Sequence, residues 1–115
     1  MAMNIQIFGT GKSFDTKKAQ RWFKERGIRF QMIDMKEKGM SRGEFDNVCR
    51  ALGGWQALVD PNAKDQQTLA ILQRLVDYQQ ADKLFENQQL CKLPIVRNGR
   101  QATVGDCPQT WQTWE

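Results

Sequence analysis

The residues best suited to chemistry lie where a short apolar run stops, in Phe8-Gly9-Thr10-Gly11-Lys12-Ser13-Phe14-Asp15-Thr16-Lys17-Lys18-Ala19. A hydroxyl at position 13 follows Lys12 directly and precedes Lys17 by one helical turn. At the first turn of a helix such a side chain meets free backbone N–H groups and the positive end of the helix dipole, which hold anions and stabilise thiolates. Here the residue is serine. An alkoxide is far harder to form than a thiolate, and the chain has no histidine to take the proton. A Ser-Lys pair with Lys12 would require sequence neighbours to face each other, which they rarely do. Ser13 therefore reads as a helix cap or anion ligand, with Gly11, Lys12 and Lys17 as candidate anion- or substrate-binding residues.

The three cysteines, Cys49, Cys91 and Cys107, form no CxxC pair, so neither a disulfide framework nor a structural zinc knot is expected. Without histidine there is no imidazole base and no imidazole metal ligand. Cys49 falls on an apolar helical stripe and reads as core. Cys91 and Cys107 flank elements that could approach the first loop. Structural roles are expected for both, and Cys91 is the better candidate for a resolving thiol. Gly11-Lys12-Ser13 also resembles the end of a phosphate-binding loop. That loop needs a glycine at position 6, which is Gln6 inside the apolar run, and the turn is too short to wrap phosphates.

The elements that must position these residues follow from hydrophobic spacing. Asn4 to Phe8 reads as a buried strand, Asp15 to Arg26 as a helix with Ala19, Trp22 and Phe23 on one face, and Arg29 to Met35 as a second strand. This βαβ unit makes the two strands parallel. Ser41-Arg42-Gly43-Glu44 is a capping box opening a helix with Phe45, Val48, Cys49 and Leu52 on its stripe. A longer helix is expected near Asp65 to Tyr78, and a short one around Asp82 to Asn87. Ile95-Val96-Arg97, Asn98-Gly99, then Gln101 to Val104 is a hairpin signature, and Pro108 opens a last short helix with Trp111 and Trp114. The expected fold is α/β and thioredoxin-like: β-α-β, a helical insertion at about 41–90, then β-β-α. It forms one domain over residues 1–115, a small mixed sheet flanked by helices. In such open sheets the functional crevice lies beyond the carboxyl end of the first strand, here Gly9 to Thr16.

The segment from Phe8 to Ala19 resembles the signature of the arsenate reductase/Spx family (ArsC-like, thioredoxin fold). There a short Gly-Thr-Lys-Lys-like loop leads to a cysteine and then Asp-Thr-Lys-Lys-Ala. The similarity continues through Trp22, Gly27-Ile28, Lys36-Glu37-Lys38-Gly39 and Leu52-Gly53, and resumes at Leu93-Pro94-Ile95-Val96, Asn98-Gly99 and Gly105. The resemblance implies that Ser13 occupies the place of the nucleophilic cysteine and that Pro94 is a cis-proline beside it. It also implies ancestry in thiol- or glutathione-dependent reduction. Glutathione or another thiol donor would be needed if position 13 is naturally cysteine; otherwise no cofactor is expected. Serine at 13 has two readings, a natural loss or an engineered Cys-to-Ser change.

Further departures bear on activity. Where glutathione-coupled relatives place oxyanion-binding arginines, this chain has Leu93, Asp106 and, as nearest match, Asp60. Without bidentate guanidinium groups, arsenate reduction is not expected. The second cysteine of Spx-like redox switches is replaced by Thr16. The alternative reading is a non-enzymatic Spx-like regulatory or interaction module, with Lys17, Arg21, Lys24, Trp111 and Trp114 as contact surfaces. The expected partner is a small thiol or another protein.

Composition sets the outer bounds. Of 115 residues, 40% are hydrophobic and 26% charged, the balance of a globular domain, and no apolar run reaches membrane-spanning length. The net charge of +4 is concentrated between Lys12 and Arg29, read as a solvated helix face, so nucleic acid is not expected as a direct partner. No secretory pattern is seen at the start, giving a cytoplasmic expectation. Met1-Ala2 reads as a cloning start ahead of a natural Met3.

Overall fold

The computed structural model describes residues 3–114. Met1, Ala2 and Glu115 lie outside the described residues, and with them the reading of Met1-Ala2 as a cloning start. Strand β1 (Ile5–Gly9) leads into helix α1 (Phe14–Glu25), which returns the chain to strand β2 (Phe30–Asp34). β1 and β2 pair in parallel, with Ile5 opposite Phe30 and Gly9 opposite Asp34. Strands β3 (Ile95–Asn98) and β4 (Gln101–Val104) form the hairpin, with Gly99 at φ 61°, the left-handed conformation a tight turn needs. β3 runs antiparallel to β1, giving the sheet order β2-β1-β3-β4.

Side-chain alternation along the strands divides the core. Ile5, Ile7 and Val96 pack with Ala19 and Phe23 of α1 and with Trp111 of the short helix α5 (Pro108–Trp111). Phe8, Ile33 and Ile95 point to the opposite face, under the helical block. That block comprises α2 (Arg42–Leu52), α3 (Gln66–Arg74) and α4 (Asp77–Glu86). The capping box is complete: Ser41 Oγ accepts from Glu44 N at 3.2 Å, and Glu44 Oε1 accepts from Ser41 N at 2.8 Å.

The long helix expected from Asp65 to Tyr78 is two helices. The chain leaves helical geometry at Leu75 and Val76 (ψ 160° and 157°), restarts at Asp77 and runs through the stretch read as a separate short helix. Leu69 and Leu72 of α3 and Leu84 of α4 all enter one core cluster, so the axis bends to bring both helices onto it. The β-branched Val76 suits the extended break. At the break the Leu72 carbonyl accepts from Leu75 N at 3.3 Å and from Gln80 Nε2 at 3.1 Å. Trp111 is 1% and Trp114 9% exposed, so these rings are core and offer no contact surface. Among the described residues no helix is long and apolar enough to cross a membrane.

Candidate functional site

The loop leaving β1 is held at both ends. Gly9 O accepts from Met35 N at 2.9 Å, tying it to the loop after β2, and Ser13 N donates to Thr10 O at 3.2 Å. Ser13 is the N-cap of α1: its backbone is extended (φ −79°, ψ 118°) and its Oγ accepts from Thr16 N at 3.2 Å. The serine oxygen thus satisfies one of the free donors of the first turn. Thr16 is fully buried against Gly9; a Cβ on Gly9 would lie 2.5 Å from Thr16 Cγ2 and closer still to Oγ1. Only glycine at position 9 lets α1 start this close to the strand.

Across the sheet the Leu93–Pro94 peptide is cis, as the resemblance implied, and the Pro94 carbonyl accepts from Gly105 N at 2.8 Å. Ser13 and Leu93 line the same cleft, of about 820 Å³, beyond the carboxyl end of β1. Lys12 and Cys91 also line it; Gly11 and Lys17 are exposed and do not. The structure adds Lys36, Lys38 and Lys64 to the cleft, along with Asp60, Asp65 and Glu86. Lys36 and Lys38 lie in the stretch carrying the family resemblance. Lys64 belongs to a connection whose fold against the β1 loop has no local sequence signal.

The positions expected to carry arginine have other partners. Asp60 Oδ1 accepts from Asn62 N at 2.8 Å within its own loop. Asp106 pairs with Lys18 of α1 at 3.3 Å, a half-exposed bridge worth little stability. Leu93 puts an apolar side chain at the cleft, and no arginine lines it. A compact oxyanion would find no bidentate partner there.

Burial pushes the Cys91 thiol up to about 12, with the nearness of Cys49 adding to it. Burial likewise raises Cys49 to about 11. Cys107 is raised by burial and then by the neighbouring Asp106; its Sγ donates to Val104 O at 3.4 Å, and it packs on the α1 and α5 side of the sheet. Cys91 therefore lines the cleft as a neutral thiol, a poor form for a resolving thiol, the role for which its sequence position makes it a better candidate than Cys107. Cys49 packs against the core from the edge of the helical block, half-buried. Among the described residues no three histidine, cysteine or carboxylate side chains are grouped to hold a metal.

These raised thiols have a consequence in alkali. An unfolded cysteine ionises near 9 and the native Cys91 near 12, so above pH 9 the unfolded chain holds fewer protons. Stability is complete below that value and is lost as pH rises through the window toward 12. Denaturant titrations at pH 8 and pH 10.5 should show the midpoint falling in wild type and falling less in Cys91→Ala.

No protein-family model and no curated protein matches the sequence. Solved structures do. An ArsC family related protein from Bacteroides fragilis superposes with TM-score 0.83 at 19% identity, covering 100% of both chains. An arsenate reductase from Vibrio cholerae gives 0.81 at 22% identity, covering 98% of each. A protein named YffB gives 0.81 at 20% identity over 96% of this chain and 97% of its own. Strand order, the cis-proline turn and these whole-length superpositions together establish that the chain has the thioredoxin-like fold of the ArsC-type arsenate reductases and their relatives.

Proposed function

We propose that this chain is an ArsC/Spx-type protein whose cleft derives from thiol- or glutathione-dependent reduction and which, with serine at position 13, performs no thiol chemistry and does not reduce arsenate. The supporting observation is the use of Ser13 Oγ. It caps α1 through Thr16 N, at the place where a thiolate would collect the same backbone donor and the charge of Lys12. A capping hydroxyl with no imidazole in the chain has no route to a nucleophilic anion. The absence of arginine from the cleft supports the exclusion of arsenate. The alternative of a regulatory interaction module loses Trp111 and Trp114 as surfaces and retains only the exposed Lys17, Arg21 and Lys24.

Glutathione-coupled reduction of a small mixed disulfide tests this reading. Wild type should show only the uncatalysed rate. Ser13→Cys should turn over: its thiolate attacks the disulfide, forming a protein mixed disulfide and expelling one thiolate. A glutathione thiolate then attacks that mixed disulfide, restoring the protein thiolate and leaving as a glutathione disulfide. Arsenate should be reduced by neither. Turnover by wild type, or none by a folded Ser13→Cys, would defeat the proposal.

A further inference from the structure

Four lysines line the cleft: Lys12 from the loop after β1, Lys36 and Lys38 from the loop after β2, and Lys64 from the segment before α3. Their backbones are held. The Asp34 carbonyl accepts from Lys38 N at 2.9 Å and from Gly39 N at 3.2 Å, and Met35 N is tied to Gly9 O. Among the described residues none of the four forms an ion pair. Of the three carboxylates lining the cleft, Asp60 and Asp65 stand in the segment before α3 and Glu86 ends α4, and the first two already accept hydrogen bonds. Asp60 accepts from Asn62 N at 2.8 Å and Asp65 from Thr68 N at 3.1 Å. A hydrogen bond does not cancel a carboxylate's charge, so the cleft carries four lysines and three carboxylates; it is the absence of any ion pair between them that leaves the lysines open to a ligand.

We propose that this cleft binds an acidic peptide segment, its carboxylates facing Lys12, Lys36 and Lys38 and its backbone N–H groups facing Asp60 and Asp65. Lysines spread over three connections suit carboxylates spaced along a chain; a compact oxyanion would instead need a convergent guanidinium fork. A cleft of about 820 Å³ also exceeds what a tetrahedral anion fills. A nucleic-acid backbone would bring phosphates against the acidic side, where a peptide brings donors.

The proposal rests on the cleft being the functional site and does not depend on chemistry at position 13. The test is fluorescence anisotropy of the full chain with a labelled, end-blocked peptide of about eight residues, half of them glutamate. Binding should saturate and weaken as salt is raised. It should fall about tenfold in the Lys36→Glu/Lys38→Glu variant and also fall in Lys12→Glu, which lies on a separate loop. These exposed positions should leave the melting temperature unchanged, and Arg74→Glu, an exposed charge reversal on α3 outside the cleft lining, should bind like wild type. Absence of saturable binding, or equal affinity in the charge-reversed variants, overturns the proposal. So does displacement of the peptide by lower concentrations of an oligothymidylate or of reduced glutathione. Failure here would leave the thiol tests at position 13 untouched, so the two proposals fail separately.

Discussion

Trp111→Ala is expected to cost about 4 kcal/mol, most of the stability of a domain this small. The ring is 1% exposed and packs against Phe23 (centroids 5.1 Å apart) and Trp22 (5.4 Å). Its Nε1 donates to Thr103 Oγ1 at 2.8 Å, joining the last helix to the edge strand β4. Truncation opens a cavity between α1 and the sheet and leaves a buried hydroxyl without its donor. Trp22→Ala should cost clearly less, because that ring is only partly buried and one face carries Arg26, with the guanidinium carbon 4.0 Å from the ring centroid. Denaturant midpoints of the two variants measure the contrast, and equal losses would contradict the packing described.

Gly9→Ala is the second large effect, at about 2 kcal/mol or more. The new methyl would stand 2.9 Å from Thr16 Cβ, 2.5 Å from Cγ2 and nearer still to Oγ1. Gly9 and Thr16 are both buried, so relief requires α1 to move away from β1 and to carry Ser13 with it. Thr16→Ala should restore part of the loss by removing the two closest atoms. Thr16 Oγ1 is also buried without a hydrogen-bond partner, so Thr16→Val alone should be neutral or stabilising. Thermal melts of the single and double variants test both points; additive losses would mean that the two residues do not touch.

These two contacts show what a sequence can and cannot reveal. The apolar alternation at Ile5, Ile7 and Phe8, the Asn98-Gly99 turn and the Ser41/Glu44 box are local patterns, and each gives its element directly. The motif at 8–19 marks Ser13 because the chemistry of a helix start depends on adjacent residues. The break at Leu75-Val76 is hidden, since Leu69, Leu72, Leu75 and Val76 keep helical spacing and only the shared core decides where the axis bends. Cys91 lines the cleft, as its closeness in sequence to Pro94 suggests, but it is buried there. Its burial comes from the Val59–Cys91 bridge and the helical block, contacts that no neighbouring residue announces. Lys64 reaches the cleft through the same block. The fold was therefore legible where periodicity and turn chemistry set it, and the cleft only where it is built from the first loop.

The proposed function requires residue 13, at the start of α1 and beside Lys12, to occupy a place suited to a thiolate. The most direct measurement is the ionisation of the Ser13→Cys thiol, followed by thiolate absorbance against pH, with wild type subtracted to remove the three native cysteines. The account predicts a pKa of about 7.5 or lower. A value at or above the ordinary thiol pKa of about 8.5, in a variant that melts like wild type, would contradict it.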